Sequence, residues 1–133
     1  MIGRRIFSGS TFEELAGYAR AVVLPDPGGD WVLISGTTGF DYKTMTIAEG
    51  AEAQTHQCFA NIAAALEQAE LTLSDVVQLK GFIADAADFD VIAPIVGQYM
   101  RPARPTNTTV VSQLVDPRMK IEIEITARGA PKS

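Results

Sequence analysis

The chain has 133 residues, of which 47% are hydrophobic and 20% charged, and its formal net charge is −5 at pH 7. This length and composition predict a single compact domain, residues 1–133, that can bury a core without disulfides or metals. The acidic balance argues against nucleic acid as a partner, because phosphate binding normally needs a basic surface.

The sequence lacks signals for export or membrane insertion. Its single cysteine, Cys58, excludes an internal disulfide framework and fits a reducing compartment. No long apolar stretch follows Arg4 and Arg5, so we expect no signal peptide. No run approaches the roughly 20 apolar residues of a membrane span. We therefore expect a soluble, cytoplasmic protein that has no membrane partner.

The first half of the chain predicts a hairpin followed by a long helix. Residues 19–24 and 31–35 are short apolar runs that predict strands, and residues 24–30 between them are rich in proline and glycine. Residues 48–70 show helical spacing instead. The side chains at alternating three- and four-residue steps, which we expect on the buried face, are Phe59, Ile62, Leu66 and Ala69.

A strand and a second helix are predicted next. Residues 76–83 are strand-like, and residues 85–90 form a turn whose aspartates can cap a helix. Pro94 fits the helix that follows only in its first turn or at a kinked start. The apolar side chains of this helix are Ile92, Ile95, Val96 and Tyr99.

Two further strands close the chain. Residues 108–115 are β-branched, and Asp116 and Pro117 predict a turn after them. Residues 120–127 alternate strictly, with isoleucines on one face and Glu122 and Glu124 on the other.

The predicted element order is β-β-β-α-β-α-β-β. It indicates an α+β sandwich with a mixed sheet of about six strands and both helices packed on one face. The opposite face carries Glu122 and Glu124, so it must meet water or another subunit.

Motifs for common cofactors and metals do not occur. The chain has no Gly-x-Gly-x-x-Gly and no phosphate loop, and residues 36–39 (GTTG) predict only a turn after a strand. We expect His56 to be an exposed, inert side chain on the long helix and Cys58 to be a small core residue. No spacing of His, Cys, Asp or Glu supports a metal site.

Arg104 and Glu122 are the candidate chemical pair. Taken singly, Glu122 fits a solvated strand face and Arg104 a surface position in a proline-rich loop. Together they could serve a small-molecule site, because an arginine fork holds a carboxylate and a glutamate activates water or moves a proton. Tyr18 could place its hydroxyl at the edge of such a pocket.

Six short motifs succeed one another along nearly the whole chain. They are GYARAV at 17–22, ISGTTG at 34–39, NI and AAL at 61–62 and 64–66, LSDVV at 73–77, RPA at 101–103 and IEIE at 121–124. No single motif is specific, but their succession resembles the Rid family (YjgF/RidA, reactive intermediate deaminases).

The resemblance implies a chorismate-mutase-like fold and a homotrimer whose sheets pack into a central barrel, with a pocket at each subunit interface. It implies hydrolysis of enamines and imines to 2-oxo acids and ammonia, without a metal or organic cofactor. By this resemblance Glu122 is the functional glutamate, Tyr18 the pocket tyrosine, and Ser35 and Gly36 the pocket turn.

The arginine of the family can be matched in two registers. By local sequence, Arg104 is the arginine of Pro-Ala-Arg that binds the substrate carboxylate. In the other register, RPTN at 104–107 matches Arg-Pro-Ala-Thr of subfamilies that lack this arginine, so Thr106 or Asn107 takes its place. Ala93 stands where the family has an asparagine, and threonines lie near the place of a family cysteine.

These features lead to three functional hypotheses. The first is a trimeric deaminase or related hydrolase that acts on a small, carboxylate-bearing metabolite, with Glu122 as acid and base and Arg104 or Asn107 in the substrate pocket. The second is a trimer that binds a metabolite without this chemistry. The third is an endoribonuclease, which the acidic charge disfavours.

Overall fold

A single six-stranded sheet organises the molecule in the computed structural model, which covers residues 1–133. Two further short strands pair as a separate ribbon. The strands are β1 (Arg4–Ile6), β2 (Ala21–Leu24), β3 (Trp31–Thr38), β4 (Phe40–Asp41), β5 (Thr46–Ile47), β6 (Val76–Ile83), β7 (Thr106–Val111) and β8 (Ile121–Arg128). The helices are α1 (Thr11–Ala16), α2 (Ala51–Gln68) and α3 (Phe89–Met100).

The sheet has the order β1-β2-β3-β8-β6-β7, and only the β6–β7 pair is parallel. The predicted hairpin is confirmed, because β2 and β3 pair antiparallel around the turn. Helix α3 connects β6 to β7, which is the crossover that a parallel pair needs. The mixed α+β sheet predicted from the sequence is therefore present.

One face of the sheet is covered by α2 and α3, as predicted. The buried face of α2 supplies Phe59, Ile62 and Leu66, and they join Ile92 of α3 in the main core cluster. Every second residue of β8 completes this core, from Ile121 to Ala127. The strict alternation of β8 is confirmed, since Glu124 between the buried isoleucines is exposed and Glu122 partly so.

The sequence does not predict α1. This helix has six residues, of which only Glu13 is buried, so it is too short for an apolar stripe to predict it. Its ends are nevertheless well marked. The hydroxyl of Ser10 accepts a hydrogen bond from the Phe12 N–H, and Gly17 closes the helix in the left-handed conformation at φ 73°.

Of the two placements predicted for Pro94, the first turn of the helix is wrong. Pro94 is the sixth residue of α3, past the first turn. It is tolerated there because both Pro94 and Asp90, whose carbonyl loses its helical donor, lie on the exposed side of the helix within reach of water.

Three other boundaries differ from the expectation. Residues 36–38 continue β3 rather than forming a turn, because β8 pairs with them through Thr37 and Thr38. Strand β7 begins two residues earlier than predicted and ends at Val111, since its hydrogen-bonding partner β6 also ends there.

None of the helices combines the length and apolar character needed to cross a membrane.

Candidate active site

Glu122 lies near the middle of the sheet face that the helices leave open. Strand β8 runs between β3 and β6, and the register sets Glu122 opposite Thr38 and Phe82. Partial burial raises the pKa of the Glu122 carboxyl, the positive charge of Arg20 opposes the rise, and the negative charge of Glu124 adds to it. A carboxyl tuned in this direction is suited to both giving and taking a proton.

Ser35 and Gly36 form a β-bulge directly beside Glu122. The pairing of β3 with β8 shifts between Ile34 and Thr37, which leaves these two residues outside the regular register. A β-carbon at Gly36 would lie 2.5 Å from Oε2 and 2.8 Å from Cδ of Glu122. Glycine at this position therefore lets the carboxyl group lie against the backbone of the bulge.

The bulge is tied to the segment that precedes β2. The N–H of Ser35 donates to the carbonyl of Arg20 at 2.9 Å, and the Ser35 hydroxyl donates to the carbonyl of Ala19 at 2.7 Å. The Ser35 side chain thus has a structural partner within the chain, and its position is fixed.

Arg20 is a buried cation next to this bulge, with a relative exposure of 2%. Its Nη2 and Nε lie 3.1 and 3.3 Å from Oε2 of Glu13, which is itself buried. Its Nη1 donates to the carbonyl of Gly36 at 2.7 Å and to Oγ1 of Thr37 at 3.1 Å. The guanidinium also lies over the ring of Tyr42, 4.3 Å from its centroid.

Sequence reasoning does not identify Arg20 as a site residue. The available signal is weak but present: a single arginine interrupts the apolar run 19–24 that forms β2 and its approach. A charged residue in such a run is either exposed at its end or buried with a partner. Here the partner is Glu13, on a helix that the sequence does not predict.

Tyr18 is, with Tyr42, the second aromatic neighbour of Arg20. Its ring centroid is 5.9 Å from the guanidinium carbon, and 37% of the residue is exposed. It lines a surface cavity of about 390 Å³ beside α1, together with Phe7 and Glu14. Arg20 therefore has contacts with Tyr18 and with the bulge next to Glu122, so one buried residue connects these predicted site positions.

Arg104 and Asn107 lie elsewhere in the chain. Arg104 is exposed in the link between α3 and β7, where it adopts a left-handed φ of 52° and its N–H donates to the carbonyl of Met100 at 2.8 Å. Asn107 is paired with Leu79 across β7 and β6, so it faces the helix side of the sheet. Glu122 faces the opposite side with β6 in between, so one chain does not bring Asn107 to Glu122.

A groove between α3 and the sheet is lined by positions at which the sequence departs from the Rid pattern. Its volume is about 450 Å³, and its lining is mainly apolar. The polar side chains in it are Asn107 and Thr109, whose Oγ1 donates to Oδ1 of Asn107 at 2.7 Å, and Ala93 faces them from α3. Arg104 lines an adjoining cavity of about 240 Å³ that also includes Asn107.

The remaining sequence candidates have structural partners. Cys58 is fully buried as expected, and burial raises the pKa of its thiol. The prediction of an exposed His56 is wrong, because α3 packs beside α2 and its Tyr99 hydroxyl lies 2.7 Å from Nδ1 of His56. No three side chains of His, Cys, Asp or Glu come together as a group that could hold a metal ion.

Comparison with known sequences places the chain among relatives of the same length. The family model described as Endoribonuclease L-PSP matches residues 9–129. A RutC family protein of Leuconostoc mesenteroides subsp. cremoris is 31% identical over 131 residues, which cover 95% of this chain and 98% of the relative. A 2-iminobutanoate/2-iminopropanoate deaminase of Dermatophagoides farinae is 28% identical over 108 residues, or 80% of this chain and 81% of the relative.

Solved structures share the fold. Rv2704 of Mycobacterium tuberculosis, a member of the YjgF/YER057c/UK114 family, has a TM-score of 0.82 at 32% identity and covers 94% of this chain and 98% of its own. Escherichia coli TdcF, whose crystal structure holds bound serine, has a TM-score of 0.74 at 26% identity over 85% of this chain and 88% of its own. The resemblance found in the sequence motifs is thus confirmed, and the chain belongs to the YjgF/RidA family.

Proposed function

We propose that this chain is a Rid-type hydrolase that converts small enamine or imine metabolites to a carbonyl product and ammonia. The observation that carries the proposal is Glu122, a partly buried carboxyl that lies against the backbone of a glycine bulge on an open sheet face. The deaminase among the relatives and the serine bound by TdcF support the same substrate class of small metabolites.

Glu122 fits the proton transfers of this reaction. An imine carbon is already electrophilic, so the site needs to place a water molecule and handle protons. In its acid form Glu122 can protonate an enamine carbon, and as a carboxylate it can take a proton from the attacking water. Water supplies the oxygen of the carbonyl product, the carbon–nitrogen bond breaks, and the nitrogen leaves as ammonia.

We propose further that the pocket forms between the subunits of a homotrimer. Strand β7 is an edge of the sheet, and all six of its residues are exposed on both faces. Such an edge is suited to contact with another chain. The separation of Arg104 and Asn107 from Glu122 within one chain agrees with a site to which two chains contribute.

The substrate carboxylate can be held in either of two ways. Arg104 offers a bidentate fork, and its side chain borders a cavity at the start of β7. Asn107 lies inside that strand, in the groove itself, and offers amide hydrogen bonds without charge. The two arrangements differ in which substitution harms binding.

Release of ammonia from enzymatically generated imino acids tests the function. We expect activity in the wild-type protein and at least about a hundredfold loss in Glu122→Gln. Arg104→Ala raises KM for carboxylate substrates if Arg104 is the anchor, and Asn107→Ala does so if the other register holds. Full activity in Glu122→Gln, with contaminating deaminase excluded, would overturn the mechanism.

A binding protein without this chemistry is the second candidate. The observation that favours it is the mainly apolar lining of the groove, in which Asn107 and Thr109 are the polar side chains and no cation is present. Calorimetry with serine and small 2-oxo acids distinguishes the two candidates. Binding that is retained in Glu122→Gln, with no ammonia released by the wild-type protein, supports the binding protein.

A further inference from the structure

We propose that Arg20 is a positioning residue of this site: it fixes the Ser35–Gly36 bulge beside Glu122 and presents a buried positive charge to that carboxyl group. A catalytic role for Arg20 rests on the proposed function, whereas the contacts that Arg20 makes with the bulge do not depend on it.

Arg20 contacts the bulge through both its main chain and its side chain. The Arg20 carbonyl accepts from the Ser35 N–H at 2.9 Å, and Nη1 donates to the Gly36 carbonyl at 2.7 Å. A bulge leaves its extra residue outside the regular ladder, so it needs partners from elsewhere. One residue here supplies partners to both members of the bulge.

The contact at Gly36 bears directly on Glu122. A β-carbon at Gly36 would approach Oε2 of Glu122 to 2.5 Å, so the bulge backbone and the carboxyl group touch each other. A change in the position of the Gly36 peptide therefore changes the space that the carboxyl group occupies.

Arg20 is held in place by a rigid set of partners. Glu13 accepts from Nε and Nη2, and Glu13 in turn accepts from the N–H of Ser8 at 3.0 Å and from its hydroxyl. The ring of Tyr42 covers the guanidinium from one side. The planar fork of arginine supplies separate N–H donors to Glu13 and Gly36, whereas lysine has a single ammonium group.

Arg20 also sets the charge that Glu122 meets. Burial and the neighbouring Glu124 both favour the neutral acid, while Arg20 favours the carboxylate. The other charged or titratable groups near this cluster lie on several elements. They are Glu13 on α1, Tyr18 beside Arg20, Lys80 on β6 at 3.8 Å from Glu124, Cys58 on α2, and Asp41, Tyr42 and Lys43 in and after β4. Among these groups, Arg20 is the positive charge that lowers the pKa of Glu122.

A purely structural ion pair and a positioning residue make different predictions. Loss of a structural pair lowers stability but leaves the titration of Glu122 unchanged. Loss of the positioning residue changes the pKa of Glu122 in a direction set by the charge removed. Titration of the Glu122 carboxyl by ¹³C NMR measures this, with its resonance assigned from the spectrum of Glu122→Gln.

The main variant is Glu13→Gln/Arg20→Gln, which removes both charges and leaves no unpaired buried ion. We expect the pKa of Glu122 to be higher in this variant than in the wild-type protein. Glu13→Gln alone should lower it, because the charge of Arg20 is then no longer compensated. Arg20→Lys keeps the charge and should leave the pKa of Glu122 closer to its wild-type value than the double variant does.

An unchanged pKa of Glu122 in the double variant overturns the proposal, and so does a shift of the same sign in both glutamine variants. If circular dichroism shows that the double variant does not fold, the direction of the shift in Glu13→Gln decides the question. The titration needs no substrate, so it stands whether or not imines are hydrolysed. If they are hydrolysed, the pH profile of kcat/KM must move with the pKa, and identical profiles in all variants overturn the proposal while leaving the function intact.

Discussion

Glu122 shows at the scale of a single residue how the partial burial of a carboxyl group opposes stability. Because its pKa is raised in the folded state, the folded protein binds more protons than the unfolded chain between the ordinary glutamate pKa and the raised value. As far as Glu122 is concerned, the free energy of unfolding is therefore highest at low pH. It falls as the pH rises through this window. At neutral pH the partly buried carboxylate destabilises the fold.

Glu122→Gln should accordingly raise the Tm at neutral pH, and under the proposed function it should lower hydrolysis by at least about a hundredfold. The gain should shrink near about pH 4, where the wild-type carboxyl is largely protonated. Thermal unfolding by circular dichroism across this range measures the effect. Glu124→Gln is the control, because Glu124 is exposed and its substitution should change stability by no more than about 0.5 kcal/mol. A lower Tm for Glu122→Gln at neutral pH would contradict the argument.

Gly36 makes a second prediction at this scale. In Gly36→Ala the new methyl group meets the Glu122 carboxyl at 2.5 Å, so the carboxyl must move. We expect hydrolysis to fall by roughly tenfold to a hundredfold, because displacements of about 1 Å have such effects on catalysis. The matched control is Gly28→Ala, whose methyl group would also come within 2.5 Å of a side-chain terminus, that of Arg128.

Arg128 is partly exposed and can move aside, so Gly28→Ala should retain activity although its ion pair with Asp26 is disturbed. Steady-state kinetics of both variants and their Tm values separate the two cases. Equal activity of Gly36→Ala and the wild-type protein would show that the approach of Glu122 to the bulge has no catalytic role.

At the scale of elements, α3 carries a residue that weakens it. Pro94 leaves the carbonyl of Asp90 without its helical donor, and both residues are exposed. Proline in a helix interior costs about 3 kcal/mol relative to alanine, and the stiffer unfolded chain offsets up to about 1 kcal/mol of this. Pro94→Ala should therefore increase the free energy of unfolding by about 2 to 3 kcal/mol.

Urea denaturation measures this change. Gln98→Ala, also on the exposed side of α3 but with its backbone hydrogen bond intact, should stay within about 0.5 kcal/mol of the wild-type protein. A destabilised Pro94→Ala would mean that the proline ring has a packing or assembly role that outweighs the missing hydrogen bond.

Elements with strong periodicity could be predicted, and elements held by distant polar partners could not. The apolar stripe of α2 and the alternation of β8 are local patterns, so their buried faces follow from sequence spacing. Helix α1 has only six residues, too few for such a stripe to be recognised. Arg20 depends on Glu13 and Gly36, which are seven and sixteen residues away and belong to other elements. No local pattern reports a contact of that kind.

The candidate site likewise has residues that the sequence predicts and residues whose place it leaves open. Tyr18, Ser35, Gly36 and Glu122 come from the order of motifs, and the structure places the bulge beside the glutamate. The ambiguity between Arg104 and Asn107 is one of register in a short segment. Backbone pairing puts Asn107 inside β7 and leaves Arg104 before it, which the sequence alone does not settle.

At the scale of the whole molecule, the distribution of charge disfavours the binding of a polyanion. The net charge is −5, and five of the eleven lysines and arginines are in ion pairs with carboxylates. A polyanion such as RNA needs an open stripe of cations, so this arrangement agrees better with a small ligand.

At the same scale, the edge strand β7 provides a test of assembly. Val110 lies on the open side of this edge strand, where Phe82 pairs with it on β6, and it is 45% exposed in the isolated chain. Burying a lysine without a partner in a subunit interface is unfavourable. Val110→Lys should therefore convert the proposed trimer, with three times the 14.3 kDa chain mass, to monomers.

Sedimentation equilibrium gives the masses directly. Leu15→Lys is the matched control, since Leu15 is an exposed apolar residue of α1, away from β7, and its variant should remain trimeric. If the site lies between subunits, imine hydrolysis must be lost together with the trimer in Val110→Lys, although its Glu122 is intact. A monomeric Val110→Lys with full activity would place the whole site within one chain.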